Sequence, residues 1–584
     1  MRPASPEARG CPGTRARGTL SPFPRRLALL LLLAAGLVFP GLAAGPLERA
    51  EIYFLDGARS MVERGDFLVP FFQGRPFFDK PILTYWLMAA AFETFGPSAW
   101  AARLVPAVAA LGVVLATVLL GRRLFGERTG LAAGVVLATT LAFVAFGRTA
   151  MSDMLLTLWT TVAVLLAAWV LRWPSAVASP APAWAVVAIG AVLGLGFATK
   201  GPVALLMAGL PIFLMWWPGR RQTPAPGGTL ALTALAFVAL GGAWFALIYA
   251  RMGSGPLVHF FFKENLERFA GEAYDVGRPF WYYPPAYLLA GLPWSLLLVP
   301  ALRRVTRADG SALLAAWGLL ALLPLSLSRG KLDYYLLPLY PAIALLVARW
   351  LVAVRPWDAF DRAWSRGASF VAAAGLGALA LLPGRFDAGW LPSPAACQLL
   401  VAMAVIAALA SLAAAMRPSP RRLFVTLATS SAAMGLILAT FFLPAFRAGQ
   451  PNTALAEDIR RESQFRPEVR VVACDDPARV ERDVLFEARV TVERRCDLWN
   501  VAPSFQPFLF VLRPEEQASL EAIPGFHEVA RYRYLPAATL TLSGLLEPKP
   551  AGVMVLGANF ATGDPVAEAR RKKQRKQELR EEDE

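Results

Sequence analysis

Histidine and cysteine are scarce in this 584-residue chain, with two of the first (His259 and His527) and four of the second. No Cys-x-x-Cys pair and no histidine-rich cluster occurs, so a dedicated zinc or redox centre has no support in the sequence. Charge is thin as well: 17% of residues are charged and 56% are hydrophobic, a balance foreign to soluble globular chains. That excludes a solvated multidomain protein, which length alone would suggest. The net charge of +16, set in so apolar a chain, reads as basic cytoplasmic loops touching anionic headgroups and not as nucleic-acid binding. No internal repeat of fixed period is visible.

What is present is a series of long apolar runs. Stretches such as 27–44 and 423–442 approach or reach the roughly 20 residues that cross a bilayer as helix. The first follows a basic segment (Arg2, Arg9, Arg15, Arg17, Arg25, Arg26) and is longer than a usual signal-peptide core, so it reads as an uncleaved first span. Further runs near 102–120, 130–147, 154–172, 183–198, 202–218, 229–250, 285–302, 311–328, 335–353, 367–384, 395–415 and 422–444 bring the expectation to about 13 spans. With the N-terminus inside, the short inner loops hold far more basic residues (Arg122, Arg123, Arg128, Arg303, Arg304, Arg307 among them) than the short outer ones (Arg148, Lys200, Arg329, Lys331, Arg385). The expected protein is therefore multi-pass, in a bacterial inner membrane, with a cytoplasmic N-terminus and a periplasmic C-terminal part.

Four regions follow: a basic N-terminus (1–26), an all-α membrane domain (27–446) with long outer loops at 45–101 and 251–284, a small soluble α/β domain (447–556) and a charged tail (557–584). The α/β reading rests on strand-like runs at 469–473 and 508–512 between helix-like stretches at 453–462 and 514–522. Cys474 and Cys496 fall in that domain and are either a disulfide or two thiols.

Charged groups at membrane depth are costly, and here they gather at the outer ends of spans. GRTAMSDM holds Arg148 and Asp153, ATKGP holds Lys200, and SRGKLDYY holds Arg329, Lys331 and Asp333. The outer loops add Glu51, Asp56, Arg59, Asp79, Lys80, Lys263, Glu264, Glu267 and Arg268. Cations beside carboxylates at one face suit chemistry on a lipid phosphate: the cations hold it as it departs, and a carboxylate deprotonates the attacking hydroxyl. Blander readings stand beside this one. Asp153 also suits a helix N-cap, Lys200 and Lys331 suit snorkelling to headgroups, Glu264, Glu267 and Arg268 suit surface pairs, and the aromatic run 280–283 suits an interfacial belt. His259, among Phe260 to Phe262, reads as a packed interfacial histidine.

The stretch ARSMVERGDFLVPFFQGRPFFDKPILTYW (58–86) resembles the first outer loop of bacterial lipid A aminoarabinose transferases and the wider group around protein O-mannosyltransferases. The pattern there is AREM-x-x-x-GDW-x-x-P, a short spacer, then (E/D)KPP-x-x-YW. GRTAMSDM, ATKGPVALL, ENLERF with PFWYYPPAYLLAGLPW, and SRGKLDYYLLPLYPAIALL resemble further landmarks in the same order, over residues 27–445. The resemblance implies a GT-C-type membrane glycosyltransferase, of the family 39/83 kind, that uses an undecaprenyl-phosphate-linked sugar. A monomer acting on a lipid or glycan acceptor is expected, with no cofactor required; a lone histidine among acids leaves a divalent metal open but without support in the sequence.

Position by position, the resemblance makes Asp79 and Lys80 an acidic and basic pair in the active cavity and Asp153 a second acid. Lys200, Lys331 and Tyr334 or Tyr335 would then line the donor phosphate; beside the resemblance, Arg148 is a further candidate for that phosphate, and Arg59, Arg268 and Tyr282 are candidate substrate contacts. One departure stands out: Glu51 falls at the Glu of the family's usual Asp-Glu, and Ala50 replaces the Asp. The general base is then Glu51, Glu48 or Asp56, or the mechanism differs. A protein O-glycosyltransferase of the same group and a lipid-linked-sugar flippase are the alternative functions.

Overall fold

The computed structural model describes residues 22–45, 47, 49–171, 182–219, 228–271, 277–307, 309–352, 356–381, 394–442, 444, 452–465, 469–473, 492–494, 507–512, 525–534 and 552–559. Among them, seven helices are long and apolar enough to cross a membrane: Ala99–Phe125, Asp153–Val170, Ala183–Lys200, Thr229–Met252, Asp333–Val352, Cys397–Met416 and Pro420–Thr440. An eighth arises if Tyr283–Ala290 and Trp294–Arg303, bent by 118°, are one span.

The run 367–384 falls in the unbroken helix Ala359–Ala380, while several other apolar runs are short or broken. The stretch 130–147 divides at Thr139 and Thr140 into Glu127–Ala138 and Leu141–Phe146. The stretch 202–218 begins as a π-helical turn, Leu205–Gly209, before the α-helix Leu210–Gly219. Pro22–Val38 and Ser311–Leu327 are helices of 17 residues each. Hydropathy counts apolar length and is blind to where the backbone hydrogen-bond ladder is interrupted.

Local signals set the helix ends. Ser98 caps Ala99–Phe125 by accepting from the Ala101 N–H, and Gly126, at φ 92°, ends it. Asp153 opens one helix and Lys200 closes the next, so each charge complements the helix dipole at its own end. The two helices pack against each other and bring those ends together.

The principal core is formed by the membrane helices. A second apolar cluster joins the Arg49–Arg64 helix (Ile52, Phe54, Leu55, Met61), Tyr85, the end of Thr229–Met252 (Trp244, Phe245, Ile248) and Phe260. It also takes in Leu455, Ile459, Leu509 and Leu556 of the C-terminal region. The first long loop is thereby a packed structure. Its short hairpin, β1 (Phe71–Phe72) with β2 (Arg75–Pro76), delivers the chain to Asp79 and Lys80.

In the C-terminal region the helix Asn452–Phe465 accompanies a mixed five-stranded sheet. Its strands are β3 (Arg470–Ala473), β4 (Val492–Arg494), β5 (Phe508–Leu512), β6 (His527–Tyr534) and β7 (Gly552–Ala558), in the order β4-β3-β5-β7-β6. β3 runs parallel to β4 and β5, while β7 is antiparallel to β5 and β6. The expected strands at 469–473 and 508–512 coincide with β3 and β5. The expected helix at 514–522, Cys474, Cys496, Glu48 and residues 560–584 of the charged tail lie outside the described residues, while the first residues of that expected tail, Gly557 and Ala558, belong to β7.

Candidate active site

Several distant parts of the chain converge on one pocket. Asp79 and Lys80 come from the first loop, and Asp153 and Lys200 from the paired helix ends. Phe260, Glu264, Asn265, Arg268 and Phe269 come from the segment after Thr229–Met252, while Ser328, Gly330 and Tyr335 close one side. Leu156, Val203, Leu206, Met207, Pro324 and Leu325 supply an apolar wall.

The charges interlock. Lys200 is ion-paired with Asp153, both nearly buried. Lys80 Nζ donates to Glu264 Oε2 at 3.2 Å and to its neighbour's carbonyl, Asp79 O, at 2.8 Å. Arg268 donates to the same Glu264 oxygen at 3.0 Å. Burial pushes the Lys80 ammonium below the ordinary lysine value, and the Glu264 carboxylate works against that. Lys200 lies 4.7 Å from the centre of the Tyr335 ring and 5.5 Å from that of Tyr334.

Asp79 pairs with His259, Oδ1 to Nε2, at 2.8 Å. Asp79, His259 and Glu264 place ligand atoms within 4.8 Å of one another, close enough to share one cation through oxygen and nitrogen donors. The sequence shows no such cluster, because 180 residues separate Asp79 from His259.

The position of His259 also has a helical cause. Residues His259–Glu267 form a π-helix. At the α-helical 100° per residue, His259 and Glu264 would point about 140° apart, whereas i→i+5 winding returns them to nearly the same side. Gly201 makes room for this segment: it has φ +66°, and a Cβ there would stand 2.5 Å from Phe260 Cζ. Glu264 is therefore a buried pocket residue and not half of a surface pair, which α-helical spacing could not reveal.

Other expected site residues lie elsewhere. Glu51 does not line the pocket: its two carboxylate oxygens accept from Arg103 Nε and Nη2, each at 2.8 Å, and one also accepts the Ala150 N–H at 2.7 Å. It is a buried strut that ties the first loop to the Ala99–Phe125 helix and to the turn before Asp153, outside the pocket in which the sequence reading expected it as a base. Arg148 likewise turns from the pocket to donate to the carbonyls of Val38 (2.7 Å) and Gly41 (2.8 Å). Arg59 pairs with Asp56, whose other oxygen accepts from the Gln73 N–H at 3.0 Å. Lys331 is buried beside the pocket, its ammonium held by the carbonyls of Ser328 and Arg278. Tyr282 donates to Asp333 at the rim; burial and that hydrogen bond push its pKa up to about 12.

The chain is similar to several known proteins. The family described as dolichyl-phosphate-mannose-protein mannosyltransferase matches residues 79–244. An undecaprenyl phosphate-alpha-4-amino-4-deoxy-L-arabinose arabinosyl transferase of Pseudomonas aeruginosa is 34% identical over 337 residues, 55% of this chain and 59% of that protein. A namesake from Erwinia tasmaniensis is 32% identical over 304 residues, 51% of this chain and 54% of that protein. The chain thus spans little more than half the length of these relatives. Among solved structures, ArnT from Cupriavidus metallidurans bound to undecaprenyl phosphate superposes with a TM-score of 0.72 at 21% identity, covering 92% of this chain and 98% of that one. In sequence over about half of its length and in fold over most of it, this chain, with seven described helices long and apolar enough to cross a membrane, is similar to the bacterial undecaprenyl phosphate-aminoarabinose arabinosyl transferases.

Proposed function

We propose that the chain is a membrane glycosyltransferase that moves a sugar from a polyprenyl (undecaprenyl) phosphate to an envelope lipid or glycan on the periplasmic face. The observation that carries this reading is the gathering of Lys80, Lys200 and Arg268 with Asp79, Asp153 and Glu264 in one pocket with an apolar wall. The acceptor oxygen attacks the anomeric carbon, the bond from that carbon to the phosphate oxygen breaks, and the phosphate keeps the electron pair. Lys80, Lys200 and Arg268 neutralise the departing phosphate. A carboxylate takes the acceptor's proton, and Asp79, whose side-chain partner is a histidine and not a fixed cation, is the better placed. No general acid is required, since a phosphate leaves ionised.

The same reading sets the chain in the inner membrane with about 13 crossings, the basic N-terminus inside and the sheet-bearing 447–556 region in the periplasm. A protein acceptor is the second reading, favoured by the mannosyltransferase family match over 79–244. The test is release of labelled polyprenyl phosphate by purified protein, scored with lipid, glycan and peptide acceptors. Asp79→Ala and Lys80→Ala should each abolish release while leaving folded protein. Wild-type rates in both variants would remove this pocket from the reaction.

A further inference from the structure

Beside the pocket, two segments of different origin meet as a short antiparallel bridge, Gly277 opposite Gly330. The next pair in register is Arg278 opposite Arg329, with the Arg278 N–H donating to the Arg329 carbonyl at 3.2 Å. Opposed residues of an antiparallel pair send their side chains to the same face, with Cβ atoms about 5 Å apart, and like charges in that position repel. Both arginines are exposed, and among the described residues neither has a carboxylate partner. The nearest acid in sequence to Arg329, Asp333, is engaged by Tyr282, and Asp275, the nearest to Arg278, lies outside the described residues. Lys331 adds a third positive charge beneath the bridge, its ammonium on the carbonyls of Arg278 and Ser328.

The backbone and stem of Arg329 are held in place, and an aromatic ring lies near the Arg278 guanidinium. The Arg329 stem lies against Gly271, where a Cβ would come within 2.7 Å of Arg329 Cβ, and the Arg329 N–H donates to the Phe269 carbonyl at 2.9 Å. Gly271 sits at φ +84°, so that close approach is built into a backbone turn. The Arg278 guanidinium lies 5.8 Å from the centre of the Tyr282 ring. An anion that bridges two like charges set opposite one another relieves their repulsion.

The surroundings name the anion's carrier. Phe280 and Trp281, next along the chain, are 74% and 58% exposed, a composition that sits at the headgroup level of a bilayer. Phe269, Ser328 and Gly330, which adjoin the bridge, line the pocket. We propose that Arg278 and Arg329 form a binding site for the phosphate headgroup of a membrane lipid at the pocket mouth, outside the place assigned to the donor phosphate. Its role as the acceptor side of the reaction rests on the function proposed above; the binding itself does not.

The test is binding of short-chain phosphatidic acid to the full-length protein in neutral detergent, with short-chain phosphatidylcholine and inorganic phosphate in parallel. The wild type should bind phosphatidic acid at least about tenfold more tightly than either control, and more weakly as salt rises. The double variant R278Q/R329Q should lose at least about tenfold, and R278K/R329K, which keeps the charge, should lose less. Equal binding of phosphatidic acid by wild type and R278Q/R329Q overturns the site. Binding of inorganic phosphate as tight as that of the lipid overturns the lipid as its source. Wild-type protein that binds phosphatidic acid in this manner but releases no polyprenyl phosphate overturns the transferase reading and leaves the headgroup site standing.

Discussion

Lys80 meets Glu264 across 184 positions of sequence, Nζ to Oε2 at 3.2 Å, and Arg268 shares that same oxygen. Glu264 is the buried member of the trio, its side chain 1% exposed against 23% for each cation. Removing it leaves two neighbouring cations without their shared counter-charge. Glu264→Ala should therefore destabilise the protein by about 3 kcal/mol, and Lys80→Ala by clearly less, because Glu264 then keeps Arg268. Thermal unfolding of the purified variants checks the order; a Lys80→Ala protein less stable than Glu264→Ala contradicts it.

Glu51 and Arg103 make the corresponding structural prediction. Their bidentate pair is almost fully buried, with side chains 1% and 5% exposed. Arg103→Ala should cost about 3–5 kcal/mol, because it strands a buried carboxylate. Glu51→Gln, which still accepts hydrogen bonds, should keep near wild-type release of polyprenyl phosphate per folded molecule. A Glu51→Gln protein that is folded but inert would restore Glu51 as the base.

Gly201 joins the Lys200 helix end to the π-helix. Its positive φ and the Phe260 ring both oppose a side chain, so Gly201→Ala should cost about 1–3 kcal/mol and displace His259 and Glu264. Adding Phe260→Leu, which relieves the clash but not the backbone strain, should recover part of the activity. Activity assays on the single and double variants decide; a fully active Gly201→Ala protein contradicts this packing.

On the opposite side of the sequence's charge map, Asp309 accepts from the Ser311 N–H and from Arg349, Oδ2 to Nη2 at 2.5 Å. Burial raises its pKa, but the Ser311 and Arg349 interactions outweigh it and hold the carboxyl below 3.8. A depressed native pKa means the unfolded chain binds more protons, so this stabilisation is complete above the unfolded value and fades as pH falls through the native one. The wild-type unfolding temperature should therefore drop more steeply below about pH 4 than that of Asp309→Asn. Parallel slopes over that range would contradict the assignment.

The sequence made much of the pocket legible because its residues are charges in apolar surroundings. Asp79, Lys80, Asp153 and Lys200 stand out at span ends, and the structure brings all four to one place. His259 and Glu264 escaped for a geometric reason: α-helical spacing sets them on different faces, and only π-helical winding reunites them. Glu51 and Arg148 carried the same signal as the pocket residues but serve as struts, since burial among carbonyls, or opposite Arg103, looks identical in sequence to burial around a ligand. The count of about 13 spans rests on apolar length alone, which does not register that one run bends through 118° between Tyr283–Ala290 and Trp294–Arg303 or that a π-turn opens another. The strand runs of β3 and β5 were legible from their β-branched and aromatic content, but the order of strands depends on contacts distant in the chain.

The most direct measurement is the affinity of undecaprenyl phosphate for the purified protein and for Lys80→Met/Lys200→Met. Two charge-assisted contacts to one phosphate in a buried site predict binding weaker by about a hundredfold or more, with the double variant still folded. Equal affinity in the folded double variant would contradict the claim that these lysines grip the lipid's phosphate.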